Sequence, residues 1–374
     1  MVYDVIVVGV GGMGSAAIYH LASRRLRVLG IERFALGHEL GSSHGLTRII
    51  RLAYFEDPRY VPLLRRAFEL WRDLERRTGE SLLHVTGGLD VGAAGSRVFE
   101  GSLRSCREHS LRHDVLDAAA LQARVPAWRV PADIKAVWQP DGGFLVPERC
   151  IDAHAARARA RGAAIRTGER VLEWHVASGT VHVKTDRETY ECGQLVLTAG
   201  AWMTTLAPAI GERLQPERQV VGWFSVDESA RFAPETFPVF VLEANEGLFY
   251  GFPEFGVPGF KIGKYHHRGE HVAPDAVDRT CGPEDEAVLR EAVARYFPSA
   301  NGPLLRFSVC LFTNTSDGHF VIDRDPHAPE VLLVSPCSGH GFKFCSVIGE
   351  IVADLVQGGT TRHDISLFRL SRLN

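Results

Sequence analysis

Residues 2–34 read VYDVIVVGVGGMGSAAIYHLASRRLRVLGIERF, and the reading of the whole chain turns on them. Val5 to Val8 form a short unbroken apolar run, the pattern of a strand buried on both faces of a parallel sheet. Gly9, Gly11 and Gly14 follow as G-x-G-x-x-G, with Gly12 as a further residue without a Cβ. Such a turn lets backbone N–H groups approach a pyrophosphate at the positive end of the next helix. That helix is predicted to carry Ala16, Ala17, Ile18 and Leu21, before a second strand near Arg27 to Ile31. Glu32 then stands where an acid accepts hydrogen bonds from ribose hydroxyls. The order of strand, turn, helix, strand and acid specifies a dinucleotide site without distinguishing NAD from FAD. An acid at Glu32 argues against NADP, whose 2′-phosphate it would repel.

Composition sets the bounds around this unit. The 374 residues leave room for two domains or one large α/β unit with an insertion. Lys and Arg total 42 against 45 Asp and Glu, so the net charge of −3 suggests neither nucleic acid nor an anionic membrane as partner. The seven cysteines are scattered from Cys106 to Cys345 without C-x-x-C spacing, which fits neither a disulfide framework nor a zinc site. No metal site is expected, and the reducing cytoplasm is the expected compartment. The N-terminus enters a core strand directly with no basic leader, and no apolar run approaches membrane-spanning length.

Further along, Val61, Leu64, Phe68, Trp71 and Leu74 recur at helical spacing within Tyr60 to Arg76, with Gly79 near the end. Strands are expected near Leu82 to Val91, a helix at Asp117 to Arg124, strands at Ala164 to Arg166 and Arg170 to His175, and a buried strand in CGQLVLTAGAW. Aromatic and β-branched residues between Val220 and Tyr265 predict an antiparallel sheet, and Pro283 to Tyr296 a helix. VLLVSPCSGHGFKFCSVIGEIVADLVQGG reads as a strand, a Gly/Ser turn and a helix. With no linker or repeat, the domains should be interleaved along the chain.

VIVVGVGGMGSAAIYHLA, GSSHGLTRIIR, LVLTAGAW, FYGFPEFG, KIGKYHH, CLFTNTSDGHFVID and SGHGFKF together resemble the monomeric sarcosine oxidase family, which includes N-methyltryptophan and pipecolate oxidases. The resemblance runs from about residue 3 to 370, and the last two segments are its most specific part. It implies an α/β fold: a glutathione-reductase-like FAD-binding domain (1–85, 145–219 and 305–374) interleaved with an α+β substrate domain (86–144 and 220–304) containing an antiparallel sheet. It implies a monomeric oxidase that converts sarcosine or another N-methyl or secondary amino acid to an imine, with O2 reduced to H2O2. A dehydrogenase of the same fold using another acceptor, and a flavin-binding protein without turnover, are the alternatives.

Residue by residue, the resemblance makes Cys310 the thiol bonded to the flavin 8α-methyl, and Arg51 and Lys343 the holders of the substrate carboxylate. It assigns oxygen activation to Lys261, a place close to the flavin to Arg48, and the amine end of the pocket to Tyr250 and His266. Besides Gly9, Gly11, Gly12, Gly14 and Glu32, it implies flavin contacts from Arg33, Ser42, His44, Thr47, Val171, Gly200, Trp202, Gly339, Gly341, Phe342 and Lys343.

The residues themselves bear on these roles. On a helical turn, Arg48 and Arg51 would share one side, beside apolar neighbours that leave each guanidinium in want of an anion. Lys343 falls at the presumed start of a helix, where a cation calls for a compensating negative charge. Lys261 has Lys264 as a competitor, and His266 is preferred over His267, which would face the other way on a strand. Phe312 stands where sarcosine-specific members of the family have an aromatic hydroxyl, so a bulkier or more apolar amino acid is expected.

Overall fold

A computed structural model describes residues 2–373. Strand Val2–Val8 lies between Val28–Glu32 and Thr189–Leu197, parallel to both. Ala164–Thr167 extends the sheet in parallel beyond Val28–Glu32, and Ala328–Ser335 does so beyond Thr189–Leu197. Val5 to Val8 are buried, as a strand covered on both faces requires. The antiparallel strands Val171–Ala177, Thr180–Thr185 and Val321–Asp325 complete eight strands.

Helix Gly12–Ser23 starts directly at the glycine turn and packs on helices Pro147–Arg159 and Cys345–Gly358. The last contact is backbone-close, since a Cβ on Gly349 would come within 2.6 Å of Ala16. Helix Val61–Thr78 buries Leu64, Trp71 and Leu74 and ends where Gly79 takes φ 73°, the left-handed C-cap that glycine accommodates.

A second sheet is mixed. Its order is Leu304–Asn314, Gln215–Phe224, Phe260–Lys264, Gly247–Phe252, Val239–Ala244, Gly88–Ala93, Ile134–Gln139 and Asp114–Asp117. Every pairing is antiparallel except Val239–Ala244 with Gly88–Ala93. Helix Pro283–Tyr296 has the bounds its pattern predicts and covers a core rich in Phe224, Phe237, Phe240, Phe260 and Phe297. The helix expected at Asp117 to Arg124 spans Ala118–Arg124, and Asp117 caps it by accepting from Ala120 N at 2.8 Å.

Three local expectations are corrected. Arg48–Arg51 is a strand, antiparallel to Gly142–Leu145, so the two arginines point to opposite sides rather than sharing a helical face. The β-branched Ile49 and Ile50 favour that conformation. After Lys264 the chain turns, with His266 at φ 55°, so His266 and His267 do not alternate on a strand. SGHGFKF does not open the helix directly: Phe342–Phe344 forms a 3₁₀ turn ahead of Cys345–Gly358. As for the domains, a cut at 219/220 passes through Gln215–Phe224, and residues 305–314 pair with that strand in the mixed sheet.

Candidate functional site

A cavity of about 410 Å³ runs from the glycine turn of the parallel sheet to the face of the mixed sheet, a volume typical of small-molecule sites. At its first end, Gly9 takes φ 88°, and a Cβ there would lie 2.7 Å from Thr198 O. A Cβ on Gly14 would lie 1.8 Å from Gly9 O, so Gly14 serves close packing of turn and helix and does not line the cavity. Gly11 and Gly12 do line it. Glu32 is buried and accepts from Val10 N at 2.7 Å and Phe34 N at 3.0 Å. Burial raises its carboxyl above the usual range against those bonds, and each oxygen retains accepting capacity. Arg33, Ser42, Val171, Gly200 and Trp202 complete this end.

Midway, Cys310 projects from Leu304–Asn314 onto the cavity wall. Burial raises its thiol, while the charges of Arg48, Lys261 and Arg279 act in the opposite sense. Arg48 donates to Thr47 O and Ser42 O, both at 2.9 Å, and among the described residues has no carboxylate partner within 4.0 Å. It therefore presents an uncompensated cation to the cavity it lines. Lys261 and Thr47 sit one layer behind, where Nζ donates to Gly45 O (2.6 Å), Thr47 Oγ1 (2.8 Å) and Thr47 O (3.1 Å). Burial, then Arg48, holds that amine well below its ordinary pKa. His44 is also behind the wall; burial and Arg48 depress it to about 3, and its Nε2 has no hydrogen-bond partner among the described residues.

The far end is aromatic. Tyr250, Phe252, Tyr265 and Phe312 line it, with the Tyr265 ring 5.2 Å from Tyr250 and 5.6 Å from Phe312. Gly339, Gly341, Phe342 and Lys343 close the wall, and Lys343 Nζ donates to His340 O at 2.7 Å. Burial, reinforced by Arg51, lowers Lys343 to about 7. Arg51 itself does not line the cavity. It is 3% exposed, bonded to Glu56 at 3.0 and 3.1 Å and to Ala53 O at 2.6 Å, with Asp90 at 3.5 Å. Burial opposes its charge, and Asp90 and Glu56 more than restore it.

His266 points away from the cavity: its side chain is 65% exposed and meets Glu217 at 2.7 Å. His267 is buried against Asp285 at 3.1 Å. The residue delivered to the site is Tyr265, one position past the end of strand Phe260–Lys264, where the turn and not the strand's alternation sets its direction. Ser43 was also missed; its Oγ accepts from Gly12 N at 3.3 Å and so supports the glycine turn.

These features fit FAD. A turn without side chains precedes a helix, a buried acid sits on the second strand, and an unpaired arginine faces the middle of an elongated cavity. The model of the FAD dependent oxidoreductase family matches residues 4–355. The monomeric sarcosine oxidase of Bacillus sp. (strain NS-129) is 42% identical over 375 residues, 99% of this chain and 97% of that one. The N-methyl-L-tryptophan oxidase of Salmonella dublin is 35% identical over the full length of both chains. Among solved structures, NikD, an amino acid oxidase of nikkomycin biosynthesis, superposes with a TM-score of 0.84 at 27% identity, over 98% of this chain and 97% of that one. Glycine turn, buried acid, cavity and full-length relatives agree: this chain is an FAD-dependent oxidoreductase of the amino-acid oxidase family that includes the monomeric sarcosine and N-methyl-L-tryptophan oxidases.

Proposed function

We propose that this protein oxidises the C–N bond of an N-methyl or other secondary amino acid to an imine, which water hydrolyses to an aldehyde and an amine, and that O2 takes up the two electrons and two protons as H2O2. The observation that carries the reading is one continuous cavity joining a dinucleotide turn to an aromatic chamber with Lys343 on its wall. Bound FAD supplies the two-electron redox chemistry that no side chain can.

The chain's own residues supply orientation and charge. Lys343 meets the substrate carboxylate, and Arg51, engaged by Glu56 and Asp90, backs it from behind. Tyr250, Tyr265 and Phe312 enclose the amine and its substituent, favouring a bulkier or more apolar amino acid than sarcosine. Arg48 would face the electron-rich part of the flavin, Cys310 would hold it by a thioether to its 8α-methyl, the two electrons and two protons of that linkage passing through the flavin to O2, and Lys261 would act on oxygen through the Gly45–Thr47 loop it holds. We further propose a monomer, and a protein working in the reducing cytoplasm, the latter in keeping with seven cysteines none of which is paired with another.

An anaerobic absorbance screen tests the reading. Sarcosine, N-methyl amino acids and cyclic secondary amino acids should bleach the flavin band, and admitting air should restore it with one H2O2 per turnover. A flavin indifferent to all of them would overturn it, and bleaching without peroxide would assign another electron acceptor.

A further inference from the structure

We propose that residues 272–280 are a strap over the nucleotide end of the cofactor cavity, with Asp275 as the clasp that governs how fast FAD enters and, where no thioether holds it, how fast it leaves. The segment joins strand Phe260–Lys264 to helix Pro283–Tyr296 and belongs to no helix or strand. Both of its ends are tied to strand Gln215–Phe224. At the near end, Arg218 N donates to Glu270 O at 2.9 Å and Val272 N to Pro216 O at 3.0 Å. At the far end, the buried Arg218 guanidinium donates to Asp278 O (2.8 Å), Thr280 O (2.7 Å) and both oxygens of Asp285 (2.9 and 3.0 Å).

Between these anchors the chain arches to the other sheet, and Ala273, Pro274 and Asp275 line the cavity opposite Arg33 and Trp202. One oxygen, Asp275 Oδ1, accepts from Arg33 Nη1 at 2.6 Å and from Trp202 Nε1 at 2.7 Å. Arg170 lies 4.0 Å from the other. Beyond the clasp, Arg279 donates to Leu40 O at 2.6 Å and to Glu39 O and Val309 O at 3.3 Å. The anchors and the clasp differ in kind. Asp285 is nearly buried, at 4% exposure of its side chain, whereas Asp275 is 49% exposed. A half-exposed pair exchanges readily with water and is weakened by salt, while a buried bidentate pair persists. The strap therefore opens at Asp275 and stays moored at Arg218.

The inference rests on FAD occupying this cavity, and its test separates the two ideas. The protein is made with Cys310→Ala, so that no thioether can hold the flavin, and FAD uptake and release are followed by flavin fluorescence. Adding Asp275→Ala should raise both rates by about tenfold, the worth of one charge-assisted hydrogen bond, with a smaller change in Kd. Trp202→Phe, which keeps an aromatic ring but removes the N–H donor and part of the indole, should act in the same direction. Release should also quicken with ionic strength when Asp275 is present and lose that dependence in Asp275→Ala. Faster release with unchanged uptake would reduce Asp275 to an ordinary ligand contact and overturn the strap, as would two unchanged rates. Failure of the Cys310→Ala protein to bind FAD at all would overturn both the strap and the placement of FAD.

Discussion

Lys343 shows how burial and neighbours set the working state of a single side chain. Burial and then Arg51 lower it to about 7, whereas a bound carboxylate favours the ammonium. Affinity for a carboxylate without an amine should therefore be fullest below about pH 7 and decline as the pH rises through that value. Lys343→Met should lose about 10- to 100-fold in affinity at low pH and flatten the profile, measured by perturbation of the flavin spectrum. A slope that survives in Lys343→Met would move the titration to another group. For Cys310, denatured wild-type protein should retain yellow colour on the chain, and Cys310→Ala should release it to the filtrate. Colour washed from the wild type would refute the thioether. Lys261→Met deletes an amine that donates to three oxygens of Gly45 and Thr47. Stopped-flow should show the oxidative half-reaction slowed about 10²–10³-fold and the reductive one much less. The reverse pattern would assign Lys261 to the amine.

At the level of elements, the glycines of one motif divide between packing and ligand approach. A Cβ at position 14 would enter the backbone of the turn, while one on Gly11 finds only Ser43 Oγ at 3.7 Å. Gly14→Ala should therefore destabilise the apoprotein by about 1–3 kcal/mol as well as weaken FAD binding. Gly11→Ala should leave the urea midpoint of the apoprotein near wild type and impair FAD binding alone. Equal losses of stability in the two variants would mean that the turn acts purely as packing.

For the whole molecule, the cavity walls come from both large sheets, so a ligand there binds only when both are folded and mutually placed. In Cys310→Ala protein the melting temperature should climb with added FAD, reflecting about 2.7 kcal/mol at a hundredfold excess over Kd. A covalently flavinylated wild type should show no such dependence on free FAD. A melting temperature of the Cys310→Ala protein that ignores FAD would place the flavin elsewhere.

The opening strand, turn, helix and acid were legible in the sequence because their information is local: an apolar run, glycines at fixed spacing and an acid at the end of the next strand. Helix Pro283–Tyr296 was legible for the same reason, since its period and its Pro and acidic start lie within the element itself. The family was legible from motifs distributed over the chain, which together carry more than any one of them. Tertiary structure decided the rest. The conformation of Arg48–Arg51 follows from its pairing with Gly142–Leu145, a partner more than ninety residues away in sequence. Local patterning cannot show that Arg51 is engaged by Glu56 and Asp90, nor that a left-handed His266 turns its ring outward while Tyr265 stays on the cavity wall. Which cations face a ligand and which are held by their neighbours depends on distances between segments, and those exist only once the two sheets have been brought together.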